Sequence, residues 1–332
     1  MDLTQKFKAK IQSAKRILIT THMMPDADGI GSEIGLCMAL KKMGVDAACV
    51  NEEGLLERYH YLDPKSIVKP MDAVIKKKTE AFDLCIVVDT NSIERVGNRM
   101  YEYLKKYDPK DILFVDHHPA KAALVKEHCI DITAAATGQI VGLMIQALGI
   151  KFDKELALPI YTAILIDTSS FRYPTVSGKT HRLIADLLDT GIEAPIAYNG
   201  IYGTKKVSHM HLLGTILTST HSNKSGEIAW ITLNNSTLTK FNGDMEDTHA
   251  FINHLLVLDN IKVACMFRED GDELKVSLRS GGDIDVGNIA RAIGGGGHSH
   301  SAATILNIKN KKIDTVISET ILKMEDLLKL QK

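Results

Sequence analysis

No surplus of charge of either sign marks this sequence: 40 Lys and Arg face 41 Asp and Glu, a net charge of −1 over 332 residues. A protein that coats long nucleic acid carries a basic excess or stripe, so an anionic ligand here has to be held locally. Cysteine is scarce and scattered. Cys37, Cys49, Cys85, Cys129 and Cys265 contain no C-x-x-C, which argues against a disulfide framework and a cysteine zinc site and fits a reducing compartment. Long apolar runs are missing as well. The longest, Ala157–Ile166, has ten residues, against the ~20 that a bilayer requires. Met1–Arg16 alternates lysine with apolar residues and lacks the continuous apolar centre of a secretory signal. These absences predict a soluble, cytoplasmic protein with no membrane partner.

What is present suits two globular domains: the length fits about 100–200 residues per domain, and 45 % hydrophobic residues supply two cores. Ile17–Thr20, Val45–Val50, Leu84–Val88 and Ile112–Val115 are short apolar runs of the kind found in strands buried on both faces. Between them, Ile30, Ile34, Cys37 and Met38 recur at helical spacing up to Gly44, and Ala135–Leu148 and Glu155–Ile166 read as helices. The expected fold is α/β, a doubly wound, mostly parallel sheet over residues 1–190. A turn-rich, helical linker is expected over 191–222. Alternating runs at Ile228–Leu233, Val263–Phe267 and Leu274–Leu278 then predict a smaller α+β domain over 223–332.

The first run leads into His22-Met-Met-Pro25-Asp26-Ala-Asp28, an imidazole and two carboxylates within seven residues at the carboxyl end of a strand. Ligands of open α/β sheets bind there, although Pro and Asp also suit a plain polar turn. The second run ends in Asp89, the third in Asp116-His117-His118, and the Tyr161–Ile166 helix delivers Asp167. Each is weak alone. Together, three strand ends bring carboxylates and imidazoles to one sheet edge, a donor set that favours Mn²⁺ over zinc. Two ions about 3.5–4 Å apart would clamp the attacking and leaving oxygens of a phosphoester. Downstream, Arg279-Ser280 follows a strand, and Val286, Ile289, Ala290 and Ile293 form an amphipathic turn ending in Gly294-Gly-Gly296-Gly297-His298. Those glycines suit a C-cap or linker, or a backbone that approaches a phosphate closely.

In order and spacing, His22-x-x-Pro25-Asp26-x-Asp28, Asp89, Asp116-His117-His118 and Asp167 resemble the four motifs of the DHH phosphoesterase family. Ser-Leu-Arg279-Ser280 with the Gly-Gly-Gly-His loop resembles the DHH-associated C-terminal domain. The resemblance spans roughly residues 15–305 and points to the nanoRNase group, which combines oligoribonuclease and pAp phosphatase activity. It implies two Mn²⁺ ions, with Mg²⁺ or Co²⁺ as substitutes. His22 and Asp26 would hold one ion, Asp28, His117 and Asp167 the other, and Asp89 both. Asp116 would orient an imidazole, and His118 would contact the substrate phosphate, so that Asp89, Asp116 and His118 form the catalytic set. His118, Arg279, Ser280, Gly296, Gly297 and His298 would bind substrate. Two positions depart from the family pattern: Ser169 stands where glycine is common, and Ser301-Ala302-Ala303 where Ala-Ala-Gly is common.

The expected activity is hydrolysis of short 5′-phosphorylated oligoribonucleotides and linear dinucleotides such as pGpG and pApA. Removal of the 3′-phosphate of pAp is the alternative, and a catalytically silent nucleotide-binding regulator stands behind it. RecJ-type exonucleases carry further nucleic-acid-binding domains for which this length leaves no room, so no long nucleic acid partner is expected. Family II pyrophosphatases lack the glycine–histidine loop, and membrane-bound cyclic-di-AMP phosphodiesterases need spans that are missing here. A homodimer is a compatible assembly.

Overall fold

A computed structural model describes residues 3–75, 82–119, 128–203, 206–243, 245–297 and 299–331. The chain divides into two compact units, Met1–Thr204 and Lys205–Lys332.

Unit 1 is built on six strands: β1 (Arg16–Thr20), β2 (Asp46–Asn51), β3 (Val68–Pro70), β4 (Leu84–Val88), β5 (Ile112–Asp116) and β6 (His128–Ile130). They lie in the order β3-β2-β1-β4-β5-β6, and every pairing is parallel. All five residues of β4 and of β5 are buried, as a sheet covered on both faces requires. Period-two alternation sorts them. Ile17, Ile19, Ile86, Val88, Leu113 and Val115 face one core, while Leu18, Cys85, Val87, Ile112 and Phe114 face the other.

The helices of this unit are α1 (Leu3–Ser13), α2 (Ala27–Lys42), α3 (Met71–Val74), α4 (Asn98–Leu104), α5 (Thr137–Ala147), α6 (Lys154–Asp167), α7 (Gly178–Leu188) and α8 (Ala194–Tyr202). α2 and α6 pack so closely that a Cβ on Gly31 would meet Pro159 O at 2.3 Å. That approach brings the acidic start of α2 near the acidic end of α6.

Unit 2 contains α9 (Val207–Leu217), β7 (His221–Ser222), β8 (Ile228–Leu233), α10 (Asn235–Lys240), β9 (Val263–Asp270), β10 (Glu273–Ser280), α11 (Val286–Ala292), β11 (Gly296–Gly297), β12 (Ser301–Asn307) and α12 (Ile313–Lys329). Its sheet is mixed, in the order β11-β12-β10-β9-β8-β7. Among the described residues only its β8–β9 pairing is parallel. One face packs on α11 and α12, the other on α9 and the 3₁₀ segment Glu246–Val257. The α/β expectation for the first part and the α+β expectation for the second both hold. The helical stretch expected as a linker over 191–222 divides between the units: Ala197 of α8 is buried in the first core and Leu212, Leu213 and Ile216 of α9 in the second. No helix among the described residues is long and apolar enough to cross a membrane.

Candidate metal centre

β1, β4 and β5 are adjacent and parallel, so His22, Asp89 and Asp116-His117-His118 leave the sheet at one edge. α2 starts at that edge because Asp26 caps it. The Asp26 carboxylate accepts hydrogen bonds from Asp28 N at 2.8 Å and Gly29 N at 3.4 Å. Asp167 is the last residue of α6. Three groups of side chains place their ligand atoms within 4.8 Å of one another: His22 with Asp26 and Asp89, Asp89 with His117 and His118, and Asp28 with His117 and Asp167. Every residue the sequence offers as a metal ligand falls into at least one of these groups, and Asp89 and His117 each fall into two.

The surroundings fix the orientation of each donor. His22 Nδ1 donates to Met23 O at 2.8 Å. That leaves the lone pair on Nε2, 3.4 Å from Asp89 Oδ2. Burial holds His22 below its ordinary pKa and therefore neutral. The amides of Thr137 and Gly138, at the start of α5, donate to the two oxygens of Asp28 at 2.8 Å each. Ser32 Oγ adds a bond at 3.3 Å, and Thr137 Oγ1 donates to Asp89 Oδ1 at 3.0 Å. Asp116 Oδ1 accepts from His118 Nδ1 at 2.6 Å and from His117 N at 2.8 Å. The imidazole that Asp116 orients is thus that of His118. Burial works against its charge, but the His118 bond prevails and keeps Asp116 below the usual carboxylate range. Asn91 Nδ2 ties down the same loop through His118 O and Pro119 O, at 3.0 and 3.2 Å.

The donors fit divalent cations. Burial, then neighbouring carboxylates, push Asp28 and Asp89 well above the usual range. Burial opposes a charge on His117, yet Asp167 and then Asp28 carry it up to about 9. With no cation present, the site draws protons to offset its own negative charge. No lysine or arginine forms an ion pair with Asp26, Asp28, Asp89, Asp116 or Asp167 among the described residues. His117 Nε2 sits 3.0 Å from Asp167 Oδ2, and Asp116 Oδ2 is buried without a hydrogen-bond partner among the described residues. A nitrogen and a carboxylate that face each other this closely can serve one ion together.

Backbone strain gathers at the same place. Asp89 has a φ of 59°, and Ser169, Ser170 and Phe171, directly after the fourth motif, have φ of 49°, 63° and 65°. Glycine would suit Ser169 sterically. Here Arg172 braces the turn instead, donating from Nε to Ser169 O at 2.8 Å and from Nη2 to Ser169 Oγ at 2.7 Å.

The residues expected to bind substrate in unit 2 divide. Arg279, near the end of β10, is half-buried, with Nη1 donating to Leu278 O at 3.0 Å. Ser280 is buried, and its hydroxyl donates to Ile284 O at 2.6 Å. It fastens the following loop rather than facing outward. Gly296 and Gly297 pair with Ala303 and Ala302 of β12. At Gly297, φ is +142° and a Cβ would meet Ala302 Cα at 2.4 Å, so the strand pairing alone requires glycine there. His298 lies outside the described residues. Thr137, Gly138 and Asn91 are not predicted from sequence, because their contributions are amides, a hydroxyl and a carboxamide that carry no ligand signature. A Thr-Gly pair opening a helix beside acidic motifs was the available signal.

The DHH family, N-terminal domain, matches residues 16–164, and the DHHA1 domain matches 228–324. This protein belongs to the DHH/DHHA1 phosphoesterases, which are metal-dependent. The bifunctional oligoribonuclease and PAP phosphatase NrnA of Thermus thermophilus is 28% identical over 295 residues, 87% of this chain and 84% of that protein. The protein of the same name from Bacillus subtilis is 26% identical over 289 residues, 85% and 86% of the two chains. Among solved structures, an exopolyphosphatase-related protein from Bacteroides fragilis shares the fold, with a TM-score of 0.87 at 23% identity, covering 99% of this chain and 97% of that one.

Proposed function

We propose that the protein hydrolyses short 5′-phosphorylated oligoribonucleotides and linear dinucleotides, pGpG and pApA among them, to mononucleotides in the cytoplasm. Two Mn²⁺ ions serve the reaction, with Mg²⁺ or Co²⁺ as substitutes. The observation that supports this reading is a run of three overlapping donor groups, in which Asp89 and His117 are each shared by two, enough donors for two neighbouring ions. His22 and Asp26 would hold one ion, Asp28, His117 and Asp167 would hold the other, and Asp89 would serve both. Ions bound there supply Lewis-acid stabilisation of phosphoryl oxygens and a nucleophilic water at neutral pH. Asp116 fixes the His118 ring through Nδ1, so Nε2 is the atom that meets the phosphate. In unit 2, Arg279 and His298 are the proposed substrate-binding residues.

The substrate class rests on the oligoribonuclease relatives and on the charge balance. Their second activity supports pAp as a further substrate of the same centre. A turnover panel with Mn²⁺ tests the reading: pGpG, pApA, pAp, pyrophosphate and a long single-stranded RNA. Fast cleavage of the dinucleotides is expected. Preference for pyrophosphate would overturn the substrate class, and no turnover of any member would favour a silent nucleotide-binding regulator.

A further inference from the structure

Behind the metal centre lies a buried polar chain that none of the motifs includes. Glu33, in the second turn of α2, is 0% exposed. Its Oε1 accepts from Asn51 Nδ2 at 2.8 Å. Asn51, the last residue of β2, accepts in turn through Oδ1 from Thr20 Oγ1 and from Thr21 N, both at 3.2 Å. Thr21 Oγ1 then donates to Val88 O at 3.0 Å. These bonds start where the sheet ladder stops. The register of β1 with β2 ends at Ile19↔Cys49, and that with β4 at Thr20↔Val87. Just beyond lie His22 on one strand and Asp89 on the other.

The geometry points to Glu33 and Asn51 as positioning residues of the metal centre: Glu33 sets which way the Asn51 amide faces, and that amide sets where β1 and β4 release His22 and Asp89. An amide offers a donor on one side and an acceptor on the other. With Glu33 taking the donor, the acceptor must face Thr20 and Thr21. Without it, the amide can turn over and oppose its NH₂ to the Thr21 N–H. The carboxyl also has no other attachment, since Oε2 is buried without a partner among the described residues. An acidic side chain in such a place costs several kcal/mol of desolvation as an ion, so packing alone gives no reason for it. Burial pushes Glu33 well above the usual carboxylate range, and glutamine therefore reproduces its uncharged form.

The inference rests on the site binding a divalent ion, so the experiment starts from Mn²⁺ alone. Isothermal titration of Mn²⁺ into metal-stripped full-length protein compares wild type with Glu33→Ala, Asn51→Ala, Glu33→Gln and Thr20→Val. Loss of supports behind metal ligands typically weakens affinity by about 10–100-fold, which is the change expected for the two alanine variants. Glu33→Gln should stay close to wild type, well short of that loss. Thr20→Val, volume-neutral in a strand, secures the test if the alanine variants do not fold, and should also weaken Mn²⁺ binding. Ile184→Val, in the core away from this chain, controls for stability and should lower Tm without changing affinity. Wild-type affinity in folded Glu33→Ala or in Thr20→Val would overturn the positioning role, as would a Glu33→Gln protein as impaired as Glu33→Ala. Absence of Mn²⁺ binding by wild type would instead overturn the metal-centre reading itself.

Discussion

His117 stands between two carboxylates, Asp167 at 3.0 Å and Asp28 at 3.9 Å, and they carry it from an ordinary 6.5 to about 9 without a cation. The folded, metal-free protein therefore holds a proton that the unfolded chain sheds between those two pH values. The stability this proton contributes is complete below 6.5 and is lost as the pH rises to about 9. Asp28 and Asp89 push in the same direction, since each is raised and destabilises the fold once forced to ionise. Tm of the stripped protein should thus fall from pH 6.5 to 9, and bound Mn²⁺ should flatten the slope. Calorimetry near neutral pH should show proton release on Mn²⁺ binding, read as a dependence of the heat on buffer ionisation enthalpy. A heat independent of buffer would mean that His117 is not a ligand. Side-chain chemistry of this kind is legible in sequence only where several strand ends coincide, because each motif alone also suits a plain polar turn. The left-handed turn at 169–171 is not, because three non-glycine residues at positive φ contradict every local preference. Arg172, which braces it, shows its purpose only in three dimensions.

At the scale of elements, β1, β2, β4 and β5 were legible because strands buried on both faces are continuous apolar runs, and α2 because its stripe stops at Gly44. Strands β3 and β6 are three residues each and offer no such run. The start of α5 was not legible either. Its helix is plain in sequence, but its use lies in two backbone amides on Asp28 and one hydroxyl on Asp89, and any residue except proline has an amide. Thr137→Val keeps the amide and removes the hydroxyl. It should cost about 10–100-fold in Mn²⁺ affinity or turnover, with a far-UV spectrum like that of wild type. Thr137→Ser should recover most of the loss. Equal activity in Thr137→Val would remove the helix start from the account of Asp89. The glycine run has a structural reason of its own, because Gly297 is required by pairing with β12.

The whole molecule consists of two compact units, Met1–Thr204 and Lys205–Lys332, and the change of periodicity near residue 190 lies close to their boundary. The exact partition was not legible, because α8 and α9 are similar helices in sequence and differ only in the core each one enters. Arg279→Ala should lower kcat/KM on pGpG by the equivalent of about 1.5–3 kcal/mol, one charge-assisted hydrogen bond, with Mn²⁺ content unchanged. A metal-depleted variant would contradict a purely substrate-binding role. The balanced charge of −1 sets the other expectation, that a long strand gains little from extra phosphates. The proposed function depends on Asp89 serving two ions in hydrolysis of a short nucleotide. Its most direct test is pGpG turnover during Mn²⁺ titration of metal-stripped protein, with wild type and Asp89→Ala side by side. Wild type should be silent without metal and reach full rate near two ions per chain, while Asp89→Ala stays silent at saturating Mn²⁺ and keeps its fold. Turnover in the stripped protein, or near-normal rates in Asp89→Ala, would contradict it.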